Sequence, residues 1–322
     1  MKALLVDPLP PSLVETIRGR LPAPHVLDAV TGPGADELAR RALDADIFLV
    51  LHGRIDAATL ALAPRLSFVQ RFGVGYDNID LEAARAAGVS VAYTPGANQD
   101  AVAEHTVMLM LALIKRLAFA AGATRRGAWP DQELIALGVP DLGDSVVGLV
   151  GFGAAGRAVA ARLRPFGCRV LYCTRHPLAP DEEARLGSAY APLEELLASA
   201  NVVSAHLPLT PETRGLFGRE AFARMPAQSV FVNTARGELV DEDALRDSIA
   251  SGHLAGAGLD VLRREEAGAN PFADLPQVIV TPHYAGATRG AQARILRVGL
   301  TNVLRVLAGQ RPDYLLVEGR RA

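Results

Sequence analysis

Lysine and cysteine are scarce in this 322-residue chain, and each scarcity closes off a class of chemistry. Lysine occurs only as Lys2 and Lys115, neither near a motif, so a mechanism that requires a catalytic lysine has almost nowhere to reside. Cysteine occurs only as Cys168 and Cys173. Two such residues cannot build a disulfide framework, and their spacing, with no matching histidine pair, does not make a zinc site. Both are expected to be small core residues of a reduced, cytoplasmic protein, and no metal is expected. Long apolar runs are also missing. The longest, residues 107–114, falls far short of the roughly 20 residues that a bilayer crossing needs. The apolar start MKALLV meets Asp7 and Pro8 at once, which reads as a first strand and not as a signal peptide. A formal net charge of -2 leaves no cationic footprint for nucleic acid or an anionic membrane.

The residues that are present suit a globular protein with large cores: 50% are hydrophobic and 21% charged, over a length comfortable for two domains. Short apolar strands at residues 3–6, 47–51, 67–72 and 89–93 alternate with Ala-, Leu- and Arg-rich helical stretches such as 81–87. The same rhythm restarts at Val146–Val150 and runs through Arg169–Cys173, 202–206, Val230–Asn233, 256–261 and 278–281. Alternation of this kind implies an α/β protein with two doubly wound parallel sheets. Residues 99–117 are apolar on nearly every side, as expected of a helix buried between domains. A second long helix is predicted over Arg289–Leu307, stopping at Gly309 with Pro312 beyond. It follows the last strand of the second sheet, so it is expected to return to the first domain. That predicts a discontinuous flavodoxin-like, substrate-binding domain of residues 1–98 plus 289–322, and a Rossmann domain of residues 99–288. Residues 125–143 read as an irregular surface connection.

Within SVVGLVGFGAAGRAVAARLRPFG, Gly151, Gly153 and Gly156 form GxGxxG between a strand and a helix. In that context the glycines supply a tight turn, close backbone approach to a pyrophosphate, and close helix–strand packing. Free N–H groups and the dipole at the helix start favour phosphate charge. At the end of the next strand, where an acidic residue would bind the ribose 2′-hydroxyl of NAD, stand Thr174, Arg175 and His176. A hydroxyl and a cation suit a 2′-phosphate, so NADP(H) is favoured; NAD(H), with Arg175 stacked on the adenine, is the alternative. A different oddity lies in SVFVNTARGELVDEDAL, where a strand ends in Arg236 beside Gly237. A salt-bridged arginine is one reading; a guanidinium waiting at the sheet edge for an anionic substrate is the other.

Taken together, RFGVGYDNID (71–80), AVAEHT (101–106), GLVGFGAAG (148–156), HLPLTPETRGL (206–216), NTARGELVDEDAL (233–245), GLDVLRREE (258–266) and TPHYAGAT (281–288) resemble the D-isomer-specific 2-hydroxyacid dehydrogenases, over nearly the whole chain. The resemblance implies reduction of a small 2-keto acid of the glyoxylate or hydroxypyruvate type, with Arg236, a glutamate after GLDV and His283 as the catalytic residues. Such chemistry needs a histidine to deliver a proton, a carboxylate to hold its ring, and an arginine to grip the substrate's carboxylate. Counting from Asp260 in the family pattern puts the glutamate at Glu265; Glu266, where relatives usually carry proline, is the alternative. Cofactor contacts implied in the same way are Phe152, Ala154 and Ala155 among the glycines, then Thr106, His206, Leu207, Pro208 and Thr213. Thr234, Ala235, Asp260 and Ala285 complete them, Asp260 as acceptor for the carboxamide nitrogen. For substrate the resemblance implies the backbone N–H groups of Val74 and Gly75, with Arg236 and His283; His52 falls where a substrate side chain would be read. Closure of two domains and a homodimer are further implied.

Three rival readings are weighed against this one. Formate dehydrogenases carry glutamine at the Glu265 position and a longer N-terminal segment. Beta-hydroxyacid dehydrogenases need a lysine. Nucleotide-sensing scaffolds of the corepressor type keep the same residues but add extended tails. With no room here for the regulatory domain of long phosphoglycerate dehydrogenases, an unregulated reductase is the expectation.

Overall fold

The computed structural model describes residues 1–32 and 34–320. The chain divides into two compact units, Met1–Asn98 with Arg289–Ala322, and Gln99–Thr288. The last two positions of the expected 289–322 segment lie outside the described residues.

In the first unit, β1 (Lys2–Leu5), β2 (Val26–Ala29), β3 (Ile47–Val50), β4 (Phe68–Arg71) and β5 (Ser90–Ala92) pair in parallel in the order 2-1-3-4-5. That is the flavodoxin-like order. β3 is buried along its whole length, as a central parallel strand covered on both faces must be. β2 escapes notice in the sequence because it is an edge strand: VLDA starts with an exposed valine and holds a charge, so it lacks a continuous apolar run.

The second unit holds β6 (Val146–Val150), β7 (Arg169–Cys173), β8 (Ser188–Tyr190), β9 (Val202–Ala205), β10 (Val230–Asn233), β11 (Gly256–Leu259) and β12 (Val278–Val280). All seven are parallel, in the order 12-11-10-9-6-7-8, which contains the Rossmann arrangement with one strand added. Two apolar clusters cover its faces, one around Phe217, Phe222 and Phe231, the other around Val147, Leu149 and Tyr172. Each large side chain so buried contributes about 1.5–3 kcal/mol. The helix Gln99–Ile114 packs inside this unit, its Leu109 and Leu113 against Gly258 of β11, and leaves Met108 exposed. Residues 125–143 are not all irregular. They include the helix Asp131–Ala136, started by Pro130 with Asp131 and Glu133 in its first turn, and lead into the 3-10 turn Leu142–Asp144. Among the described residues, no single helix is long and apolar enough to cross a membrane.

The helix Arg289–Leu307 belongs to the first unit. It lies so close to the sheet that a Cβ on Gly299 would overlap the ring of Phe72. Within this helix, the buried Asn302 side chain donates to the Asp313 carbonyl at 3.0 Å and accepts from the Asp313 N–H at 2.9 Å. This pair steers β13 (Leu315–Val317) antiparallel onto β5.

At the end of β9, the backbone of His206 is pressed against Gly151, whose Cβ, if present, would stand 2.5 Å from the His206 carbonyl oxygen. The His206 ring nitrogen Nε2 is sealed from solvent without a protein partner, although the residue is only partly buried as a whole. Loss of hydration pushes its pKa from 6.5 down to about 4. Burial acts in the same direction on His105, against the pull of the Asp260 charge. An unfolded chain therefore takes up protons that the folded chain refuses, and stability falls as pH drops from about 6.5 to about 4. Urea unfolding across that window checks this: His206→Gln should flatten the wild-type decline by an amount approaching about 3 kcal/mol, whereas an unchanged slope would remove His206 as its source.

Candidate active site

Parallel pairing brings the C-terminal ends of β6, β7, β9, β10, β11 and β12 to one edge of the second sheet, and strand order reverses between β6 and β9. Loops at such a reversal form a crevice suited to a ligand. The segments that leave this edge begin with Gly151, Thr174, His206, Thr234, Asp260 and Thr281 respectively. Every motif singled out in the second unit's strands thus lies on the same side of one sheet.

The glycine turn has the three features a dinucleotide cradle needs. Gly151 has φ 98°, a left-handed conformation, and sits against the His206 carbonyl. Gly153 caps the helix Ala154–Leu163 without any side-chain hydrogen bond, and a Cβ there would meet nothing within 4 Å. Gly156 packs so tightly on the Gly151 carbonyl that a side chain is excluded. Open space at the middle glycine and uncapped N–H groups at a helix start fit a pyrophosphate. Ala154 and Ala155 supply two of those helical residues. The Phe152 ring instead faces inward, stacked on Tyr172 with ring centroids 4.1 Å apart. Thr174 is partly buried just beyond β7, and Arg175 is exposed. Leu207 and Pro208 follow β9, where the Thr213 hydroxyl donates to the Pro208 carbonyl at 2.7 Å and braces that loop. Thr106 is fully buried; its hydroxyl donates to the Val102 carbonyl and lies 2.9 Å from that of Thr234.

Beyond β10, Asn233 organises the next turn, its amide donating to the Arg236 carbonyl and its oxygen accepting from the Ala235 N–H. Arg236 is partly buried, and its Nη1 donates to the Ala235 carbonyl at 2.6 Å. Gly237 explains the glycine in NTARG: a Cβ there would collide with the Leu262–Arg263 peptide. The loop after β10 therefore touches the backbone of the loop after β11, three residues before Glu265. That second loop is tied again by the Arg263 N–H, which donates to Glu242 at 2.7 Å. From it, Glu265 Oε2 meets His283 Nδ1 at 2.7 Å, while Glu266 pairs with Arg264. The structure thus separates the two glutamates. Glu265 holds the Nδ1 side of the imidazole, and Nε2 makes no hydrogen bond to a described residue.

His283 has φ 50°, unusual for a residue with a side chain. Its turn is held by Asp260, whose main-chain carbonyl accepts from the His283 N–H at 2.7 Å. One carboxylate oxygen of Asp260 accepts from Thr281 Oγ1 at 2.6 Å and the Tyr284 N–H at 3.1 Å; the other accepts from the Ala285 N–H at 2.9 Å. Because Thr281 donates to Asp260, its oxygen accepts from His105 Nε2 at 3.0 Å. His105 was not singled out from the sequence; its neighbour Thr106 was. The histidine in AVAEHT, a helical residue whose side chain reaches Thr281 of the TPH turn, was the available signal.

In the first unit, Asp7 gathers the N–H groups of Leu51, His52 and Gly53 at 2.6, 2.8 and 2.6 Å. His52 is thereby fixed by its backbone, with the residue exposed. Val74 and Gly75 lie partly buried in the loop after β4, and their N–H groups have no acceptor among the described residues. The described residues hold no cluster suited to a metal ion.

Residues 107–285 match the family model described as D-isomer specific 2-hydroxyacid dehydrogenase, NAD binding domain. The chain is 36% identical to a glyoxylate reductase of Thermofilum pendens, covering 88% of this chain and 85% of that one. It is 40% identical to a D-3-phosphoglycerate dehydrogenase of Mycobacterium leprae over 90% of its own length and 54% of the relative's. It thus spans a little over half the length of the phosphoglycerate dehydrogenases that it matches. A solved structure of a Thermus thermophilus protein superposes with a TM-score of 0.87 at 37% identity, covering 98% of this chain and 100% of the other. The chain belongs to the D-isomer specific 2-hydroxyacid dehydrogenase family.

Proposed function

We propose that this protein reduces a small 2-keto acid, of the glyoxylate or hydroxypyruvate type, to a D-2-hydroxy acid. The observation that carries the reading is the Glu265–His283 hydrogen bond at 2.7 Å, on the sheet edge that also bears Arg236 and the glycine turn. A reduced nicotinamide, when bound, supplies the hydride for the carbonyl carbon. His283 Nε2 delivers the proton to the carbonyl oxygen, because Nδ1 is held by Glu265. Arg236 binds the carboxylate through charge-assisted hydrogen bonds and polarises the carbonyl. Asp260 retains one unfilled lone-pair direction, suited to a carboxamide N–H. A glutamate beside His283 supports keto-acid reduction over formate oxidation, which requires no proton delivery to a keto oxygen. The corepressor type remains the alternative reading, without turnover.

Turnover of glyoxylate, hydroxypyruvate and phosphohydroxypyruvate, each with NADH and NADPH, tests the reading. His283→Gln should lower kcat by about 10²–10⁴-fold while sparing cofactor affinity, and Arg236→Ala should raise KM for the keto acid steeply. Absence of turnover with every pair would favour the sensor.

For the cofactor we propose a preference for NADP(H), supported by Thr174 and the exposed Arg175 beyond β7 and by the lack of an acid there. Thr174→Asp should move the ratio of kcat/KM values toward NADH. A ratio unaltered by the substitution would mean that the 2′-position is read elsewhere.

The protein is further proposed to be a homodimer. Met108, Leu117 and Phe166 are 45%, 56% and 43% exposed around one apolar groove, and Ile135 and Leu137 are 71% and 56% exposed. Apolar groups gathered in this way mark association surfaces. Sedimentation should give a dimer that Met108→Glu with Leu117→Glu converts to monomer; a monomeric wild type would end this proposal.

A further inference from the structure

The chain enters the 72–76 loop of the first unit from Arg71, the last residue of β4, and the arginine side chain doubles back onto that loop. Its Nε donates to the Gly75 carbonyl at 2.8 Å and its Nη1 to the Phe72 carbonyl at 2.7 Å. Between them, the Gly73 carbonyl accepts from the Thr94 N–H at 3.1 Å. Three of the loop's carbonyls are thus engaged by its own unit. The N–H groups of Gly73, Val74 and Gly75 show the opposite: none donates to an acceptor among the described residues. Engaged carbonyls beside successive N–H groups that meet no acceptor among the described residues leave positive partial charge suited to an anion.

Gly73 and Arg71 are matched. A Cβ on residue 73 would stand 2.5, 2.7 and 2.8 Å from the Nη1, Cζ and Nη2 atoms of Arg71. The guanidinium therefore occupies the space that any side chain at 73 would need. Lysine cannot replace it, since one ammonium does not reproduce a planar fork that reaches two carbonyls at once. A purely structural arginine would explain the engaged carbonyls but not the free N–H groups beside them.

We infer that Arg71 is a positioning residue, holding the 72–76 loop so that the N–H groups of Gly73, Val74 and Gly75 bind a carboxylate. This inference rests on the proposed keto-acid reduction only for the choice of a carboxylate as that anion. Arg71 touches the loop's carbonyls and acts through the loop, and the lack of a side chain at Gly73 leaves room for its fork.

The test uses the full ¹⁵N-labelled chain titrated with oxalate, read at the amide resonances of residues 73–75. Wild type should show saturable shifts there. Arg71→Lys and Gly73→Ala should each weaken oxalate by about tenfold or more, and the double variant should be no weaker than the worse single one, because both break one contact. In turnover, KM for glyoxylate should rise more than kcat falls, with KM for NADPH unchanged; a general loss of folding would move all three. Wild-type oxalate affinity in either single variant, or wild-type amides that ignore oxalate, would overturn the inference. A wild type that binds oxalate at these amides yet reduces no keto acid would overturn the proposed function and leave this inference standing.

Discussion

Everything at the second unit's sheet edge depends on one buried carboxylate. Asp260 is 1% exposed, and burying a charge is costly unless its oxygens are satisfied. Here they are satisfied by the Thr281 hydroxyl and by the N–H groups of Tyr284 and Ala285, which bracket His283 from the far side of its turn. The main-chain carbonyl of the same residue takes the His283 N–H. Four hydrogen bonds thus converge on one residue and stabilise a φ of 50° that His283 would not otherwise adopt. His105 extends this network one step deeper into the helix Gln99–Ile114, and its edge-on contact with Tyr284, 4.8 Å between ring centroids, packs the turn from the side.

Close backbone contacts set the remaining loops. Gly237 lets the loop after β10 rest on the loop after β11, and Gly151 lets the loop after β6 rest on the one after β9. Adjacent segments that carry Arg236, Glu265 and the dinucleotide turn are therefore registered by peptide-to-peptide contact, with little freedom for any of them to shift alone. The first unit uses paired charges for a similar end. Asp7 gathers amides from the loop after β3, whereas Arg71 gathers carbonyls from the loop after β4. A carboxylate and a guanidinium have opposite hydrogen-bonding sense, so the two loops present opposite backbone polarity.

Much of this was legible in the residues because the central strands are short apolar runs broken by glycines, and such runs announce a buried parallel sheet. The strands that went unnoticed, β2, β8 and β13, all sit at sheet edges or beside them, where burial on one side only leaves a mixed pattern. The helix Asp131–Ala136 was hidden for a related reason: none of its residues is buried, so it carries no apolar stripe. In the loops, residue types were readable but pairings were not. GLDVLRREE holds two adjacent glutamates; counting in the family pattern favours Glu265 with Glu266 as the alternative, and only the folded loop turns Glu265 to His283 and Glu266 to Arg264.

By itself the sequence determined the α/β class with two parallel sheets and the residue types gathered on one sheet edge. These follow from hydrophobic periodicity and from glycines whose spacing has a backbone reason, both local properties of the chain. Only the tertiary structure decided which glutamate holds His283, that Thr106 and the Phe152 ring are core groups, and that Arg71 and Gly73 share one space. Those outcomes depend on distances between residues far apart in the chain or on the direction of a single loop. Spacing along a sequence does not encode them, because several turn geometries satisfy the same pattern until packing selects one.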